Sequence, residues 1–165
     1  MNYLGIDKKR STETVKQLNQ LLANYHVYYQ NLRNFHWNIN GENFFDLHVQ
    51  FEALYSDARL KIDEIAERIL TLRHRPTSNM SEYLQASKIK EAGNVAIDRE
   101  MVGVVLENHA KLISCMRDVL KAAEELGDEG TIDMVAGFLS ALEKKSWMLD
   151  AWHTRKIEPV PVQSN

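Results

Sequence analysis

Five side chains between Asn34 and Glu67 are of the types that bind a hard or borderline cation: His36, His48, Glu52, Asp63 and Glu67. Their spacing says more than their number. His48 and Glu52 are four residues apart, and so are Asp63 and Glu67, so on a helix each pair shares a face. Placed on one helix over residues 43–73 at about 100° per residue, Glu52, Asp63 and Glu67 fall about 40°, 60° and 100° from His48 and form one stripe. Along the axis, at ~1.5 Å per residue, His48 and Glu67 stand ~28 Å apart. Metal–ligand bonds are ~2 Å long, so one chain cannot bring all four to one ion.

The positions are symmetric about the point between Asp57 and Ala58. Two antiparallel copies of the helix around a two-fold axis there set His48 against Glu67 and Glu52 against Asp63. A two-fold contact presents the same patch from both chains. Each pair of chains would then carry two identical sites, each drawn from both chains, with His36 adding a ligand from the preceding helix. The apolar stripe of the same helix is Leu47, Phe51, Leu54, Ala58, Ile62, Ile65, Ile69 and Leu72, centred roughly 135° away. The ligands therefore lie outside the chain's own core. A solvated face explains any one of these carboxylates taken singly. The whole set, with His36 in reach, is what argues for metal.

The elements around this stripe read as helices. Residues 1–10 form an N-terminal tail ending Lys8-Lys9-Arg10, better explained by solvation than by DNA contact. Ser11 or Thr12 can cap a helix that carries Leu18, Leu21, Leu22, Tyr25, Tyr28, Leu32, Phe35 and Ile39 at three- and four-residue steps. Asn40-Gly41 turns the chain, and the ligand-bearing helix runs back to about Arg73, before Pro76. A long connection over 76–97 contains a short helix from Met80 to Ala86, with Ser78 or Ser81 as its cap. A third helix begins near Asp98 and ends at Gly127. A fourth carries Ile132, Val135, Phe138, Leu139, Leu142, Leu149 and Trp152, and Pro159 and Pro161 make residues 157–165 an extended C-terminal tail. The bundle thus spans residues 11–156.

The 165 residues suit one domain, and 44% apolar content argues against disorder. A net charge of −3 leaves no electrostatic footprint for nucleic acid. The lone Cys115 falls in an apolar helical pattern and reads as a buried, inert thiol. No apolar run is long enough for a membrane span and the N-terminus lacks a signal-peptide core, so the expected compartment is the cytoplasm, with nucleoid association open.

Four long helices with one long crossover between the second and third describe an all-α, ferritin-like four-helix bundle. Di-metal carboxylate bundles usually aim Glu-x-x-His pairs inward from two helices. This chain has no Glu-x-x-His; Asp150-Ala-Trp-His153 comes nearest. That favours a site shared between chains over one inside the bundle. His26, His74, His109 and His153 lack a carboxylate that completes a ligand set and read as satisfied or exposed histidines.

With Asn-Phe-His36-Trp37-Asn, Leu-His48-x-x-x-Glu52 and Ile-Asp63-Glu-Ile-Ala-Glu67-Arg68 at these separations, the chain resembles the Dps family of mini-ferritins over nearly its whole length. One departure is Glu52, where many members carry Asp. The resemblance implies a hollow homododecamer with ferroxidase centres across subunit two-folds. It implies oxidation of Fe(II), preferably by hydrogen peroxide, storage of ferric (Fe3+) mineral inside, and protection of DNA and cell from oxidative damage. His36 and His48 would be neutral nitrogen ligands, with Glu52, Asp63 and Glu67 the anionic ones. Trp37 would sit beside the site and Trp147 matches a family tryptophan, although core packing is the favoured account of both indoles. Glu124, Asp128 and Asp133 fall where members line three-fold iron-entry pores; helix N-terminal preference for Asp and Glu is the competing account. The alternative function is a DNA-compacting stress protein with an incidental metal site, which the acidic balance and short tail argue against.

Overall fold

A computed structural model describes residues 3–154. Five helices follow one another: α1 (Thr12–Asn38), α2 (Phe44–Thr71), α3 (Met80–Ala86), α4 (Asp98–Leu126) and α5 (Glu129–His153). The long helices α1, α2, α4 and α5 form the bundle. α1 packs on both α2 and α4, α4 packs on α5, and the short α3 lies in the crossover against α1. The C-terminal tail expected over 157–165 lies outside the described residues.

The three- and four-residue apolar spacing becomes the core. Leu18, Leu21, Leu22, Tyr25, Tyr28, Leu32 and Phe35 of α1 are buried, as are Leu47, Phe51, Leu54, Ala58, Ile65 and Ile69 of α2. Each such leucine contributes roughly 2 kcal/mol by leaving water. Val102, Val105, Leu112, Met116 and Val119 of α4 and Val135, Phe138, Leu142 and Leu149 of α5 complete the interior. Cys115 is buried among them.

Gly127 closes α4 in the left-handed region at φ 73°, where a side chain would be strained, and Asp128 N donates back to Ala123 O. Asp128 then caps α5: its Oδ1 accepts from Thr131 N at 3.1 Å and its Oδ2 from Thr131 Oγ1 at 2.6 Å.

Ser11 stands at the N-cap of α1 without a capping bond. Its hydroxyl donates to Lys8 O and meets His74 Nε2 at 3.0 Å, tying the N-terminal turn to the chain beyond α2. Neither Ser78 nor Ser81 caps α3; Asn79 takes that position and its amide donates to Glu82 Oε2. Leu4 and Ile6 pack partly buried against the core, while Lys8, Lys9 and Arg10 are exposed.

Charge also enters the interior. Lys61 of α2 is buried and holds Asp57, which Lys145 of α5 also reaches at 2.9 Å. Burial works to raise the Asp57 carboxyl, but hydrogen bonds from Lys61 and Lys145 leave it below the usual range.

Candidate metal centre

The end of α1 and the start of α2 bring two of the five expected ligands together. His36 and His48 stack with ring centroids 3.8 Å apart and an interplanar angle of 22°. Each ring bonds the other residue's backbone: His36 Nδ1 to His48 O at 2.8 Å, and His48 Nδ1 to His36 O at 2.8 Å. A carbonyl oxygen only accepts, so each Nδ1 must carry the hydrogen. In the neutral imidazole Nε2 is then a bare lone pair, the atom a metal takes. Phe44 stacks on His48 at 4.9 Å and Tyr55 meets His36 edge-on at 5.3 Å, so neighbouring rings also hold both imidazoles.

Tyr55, Tyr29 and Arg33 were not singled out in the sequence. Tyr55 lies seven residues after His48, about 20° away around the helix, so the signal was available. Its hydroxyl is pushed up by desolvation, with smaller contributions from Glu52 and Tyr29. Tyr29 meets Tyr55 edge-on at 6.0 Å.

Glu52, Asp63 and Glu67 are exposed on α2. Among the described residues of one chain, no three His, Cys, Asp or Glu side chains converge on a metal-sized site. The face that carries the carboxylates carries something else. Phe45, Val49, Leu60 and Leu70 are 80%, 63%, 54% and 55% exposed. On the helical wheel they fall at about 60°, 100°, 120° and 40° from His48, so Phe45, Val49 and Leu70 lie within the stripe of expected ligands and Leu60 just beyond its edge. Phe45 and Leu70 are also equally far from the midpoint between Asp57 and Ala58.

The tryptophans correct the core-packing account. Trp37 is 58% and Trp147 68% exposed. Each stands two residues from a buried side chain, Phe35 and Leu149, and about 200° round the helix points the other way. The Arg33 guanidinium lies 4.7 Å from the Trp37 ring and 5.2 Å from the Tyr29 ring. At the α4–α5 turn, Glu124 and Asp133 are exposed, whereas Asp128 is 1% exposed and committed to its cap and to Arg68 of α2. Of the other histidines, His26 stacks on Tyr83 at 3.9 Å, His74 meets Ser11, and His109 is buried against Tyr28. His153, half-buried, leaves its Nδ1 without a partner.

Comparison with known proteins identifies the family. The sequence pattern of the ferritin-like domain matches residues 15–157. The "DNA protection during starvation protein" of Porphyromonas gingivalis is 42% identical over 151 residues, covering 92% of this chain and 95% of the relative. The chain belongs to the Dps family. A Dps crystal structure from Vibrio cholerae O1, described as a member of a broad superfamily of ferritin-like diiron-carboxylate proteins, superposes with a TM-score of 0.89 at 45% identity, over 92% of this chain and 96% of that one. Dps from Bacillus brevis gives 0.85 at 38% identity, over 87% and 97%. The long crossover with its short helix, expected for this Dps chain from spacing alone, is present as α3. Among the described residues no helix is long and apolar enough to cross a membrane.

Proposed function

We propose that this Dps chain is a ferroxidase that oxidises Fe(II), preferably with hydrogen peroxide, and stores the ferric product inside a closed homododecamer in the cytoplasm. The observation that carries the proposal is the face of α2. Five ligand-type side chains lie on or beside a surface whose exposed Phe45, Val49, Leu60 and Leu70 call for cover. A second copy about the Asp57–Ala58 midpoint supplies it, setting Phe45 against Leu70 as it sets His48 against Glu67 and Glu52 against Asp63. Covering the apolar residues completes the metal site in the same step.

The donors suit iron as substrate. Imidazole nitrogens accept Fe(II), and three carboxylates favour the more highly charged Fe(III). Two Fe(II) give one electron each to one peroxide, which takes up two protons and leaves as two waters. Removing peroxide and Fe(II) together protects DNA and cell without requiring DNA contact. The pore roles of Glu124 and Asp133 and the placement of Trp37 and Trp147 beside the centre remain parts of this proposal; Asp128, buried and bonded to Thr131 and Arg68, does not.

The test is optical. Adding Fe(II) and then peroxide should raise the ferric absorbance rapidly, faster than with oxygen, and the iron should co-elute with the protein. Light scattering should give about 230 kDa, twelve chains of 19.1 kDa. No absorbance change, or a monomeric mass, would overturn the reading. The relatives are named for DNA protection, and a DNA-compacting protein is the second reading. It predicts DNA retention that weakens steeply with salt; the −3 net charge predicts little retention at physiological salt.

A further inference from the structure

We propose that Tyr28 is a proton-coupled one-electron donor that stores an oxidising equivalent inside the bundle, its phenolic proton passing to His109 as the electron leaves. Tyr28 is 2% exposed, and its hydroxyl lies 2.7 Å from His109 Nε2. The direction of that bond is fixed from the far side. Ser146 Oγ donates to Leu142 O at 2.7 Å, so it can only accept from His109 Nδ1, at 2.8 Å. His109 therefore carries its hydrogen on Nδ1 and offers a bare Nε2 to the phenol. Burial, with Lys145 adding to it, pulls His109 down to about 3, and burial pushes Tyr28 up. At neutral pH both partners rest uncharged, with the proton on Tyr28.

Aromatic steps lead from the candidate metal centre to this pair. His36 meets Tyr55 at 5.3 Å, and Tyr55 meets Tyr29 at 6.0 Å. Tyr29 and Tyr25 are one helical turn apart on α1, about 6 Å between Cβ atoms. Tyr25 meets Tyr28 edge-on at 6.1 Å. The steps differ in what can hold a hole. An oxidised phenol is a strong acid and is stable only once its proton has gone. The buried Tyr25 hydroxyl has no hydrogen-bond partner, so it has no base to receive that proton. Tyr28 has one at hydrogen-bond distance.

The step balances. A one-electron oxidant of the hydroxyl-radical class, formed when a single Fe(II) reduces peroxide, takes a hydrogen atom from Tyr55 and leaves as water. The Tyr55 phenoxyl then regains an electron, passed from Tyr28, and a proton from solvent. Tyr28 becomes a neutral radical and His109 an imidazolium. This entry route rests on the proposed ferroxidase reading; the Tyr28–His109 pair does not.

The test separates the two. The full chain, free of metal, is oxidised by azide radicals in pulse radiolysis and freeze-quenched for electron paramagnetic resonance. We expect a long-lived neutral tyrosyl signal, narrowed by ring-deuterated tyrosine and coupled to one exchangeable proton, that of His109. Tyr28→Phe should lose it; Tyr83→Phe, at a tyrosine outside this relay whose hydroxyl donates to Thr77 O, should keep it. If Tyr28→Phe fails to fold, the exchangeable coupling in the labelled wild-type chain still identifies the radical as the tyrosine bonded to His109. An unchanged signal in Tyr28→Phe, or a tyrosyl without the exchangeable coupling, would overturn the proposal. Repeating the experiment with Fe(II) and peroxide reads the other premise: a tyrosyl signal with azide but none with iron would count against the iron chemistry and leave Tyr28 as the donor.

Discussion

The guanidinium of Arg68, in the last turns of α2, is bonded to the carboxylate of Asp128, the cap of α5. Arg68 Nε also donates to Thr131 Oγ1 at 2.9 Å, so one side chain fastens the end of α2 to the start of α5. Arg68 directly follows Glu67, and this link fixes where Glu67 is presented.

Asp128→Ala should therefore do more than remove a cap. It removes the carboxylate that accepts from Thr131 N and Thr131 Oγ1, and it leaves the largely buried Arg68 without its counter-ion. The expected loss is about 2–4 kcal/mol, between a lost cap and a broken buried pair. Asp133→Ala, on the exposed face of the same helix, should stay within about 0.5 kcal/mol. Urea unfolding of the two variants, followed by circular dichroism at fixed protein concentration, measures the difference.

His109 sets a pH dependence. Its folded pKa of about 3 lies below the ordinary value of 6.5, so the unfolded chain binds the extra proton first. The stabilisation is complete above pH ~6.5 and is lost as pH falls towards 3, by roughly 4 kcal/mol over that window. In His109→Gln this part of the slope should vanish. The difference between the unfolding free energies of the two chains, taken from pH 7 to 4, isolates it. A parallel pair of profiles would mean that His109 titrates normally in the folded chain.

Complementation tests the shared centre. His48→Ala and Asp63→Ala should each abolish ferroxidase activity as homo-oligomers. Refolded together, a mixed two-fold pair has one doubly defective site and one intact site. With unbiased pairing, about half the pairs are mixed, and activity should return to about a quarter of wild type. A site contained within one chain would give no recovery at any mixing ratio.

The helices were legible because their apolar periodicity and their stops are local signals. Gly127 ends α4 and Asp98 begins it, and α3 runs from Met80 to Ala86, as the sequence implied. The capping of α1 was not legible, because the competitor for the Ser11 hydroxyl comes from Lys8 and from His74, far along the chain. Nor was the burial of Lys61, which depends on Asp57 one turn away and on the Phe138 ring of α5, 5.3 Å from its ammonium. The two tryptophans were misjudged by residue type, where helical phase would have placed them outside. At the candidate centre, the residue types and their helical phase are properties of the sequence, but the mutual bonding of His36 and His48 required the α1–α2 turn in three dimensions.

Cys115 should be chemically silent. Burial raises its thiol to about 11, so almost none is thiolate at neutral pH, and the reagent has no path to it. An aromatic disulfide reagent should report almost no free thiol in the native assembly and one per chain in denaturant. Prompt native labelling would mean that the bundle opens near α4.

The crossed hydrogen bonds of His36 and His48 also bear on the thermodynamics of loading. Two imidazoles on an open surface would surrender their rotamer freedom only when the ion arrived, at roughly 0.7 kcal/mol each. Here that freedom is already gone once α1 and α2 have folded together, so an ion bound as proposed would meet lone pairs that need no reorientation. Affinity should exceed that of an unlocked pair by about ten-fold for the two rings together. The proposed centre would also make the turn over residues 39–43 part of the metal equilibrium: lengthening it by a single residue would slip one carbonyl away from its ring and unlock the other imidazole with it.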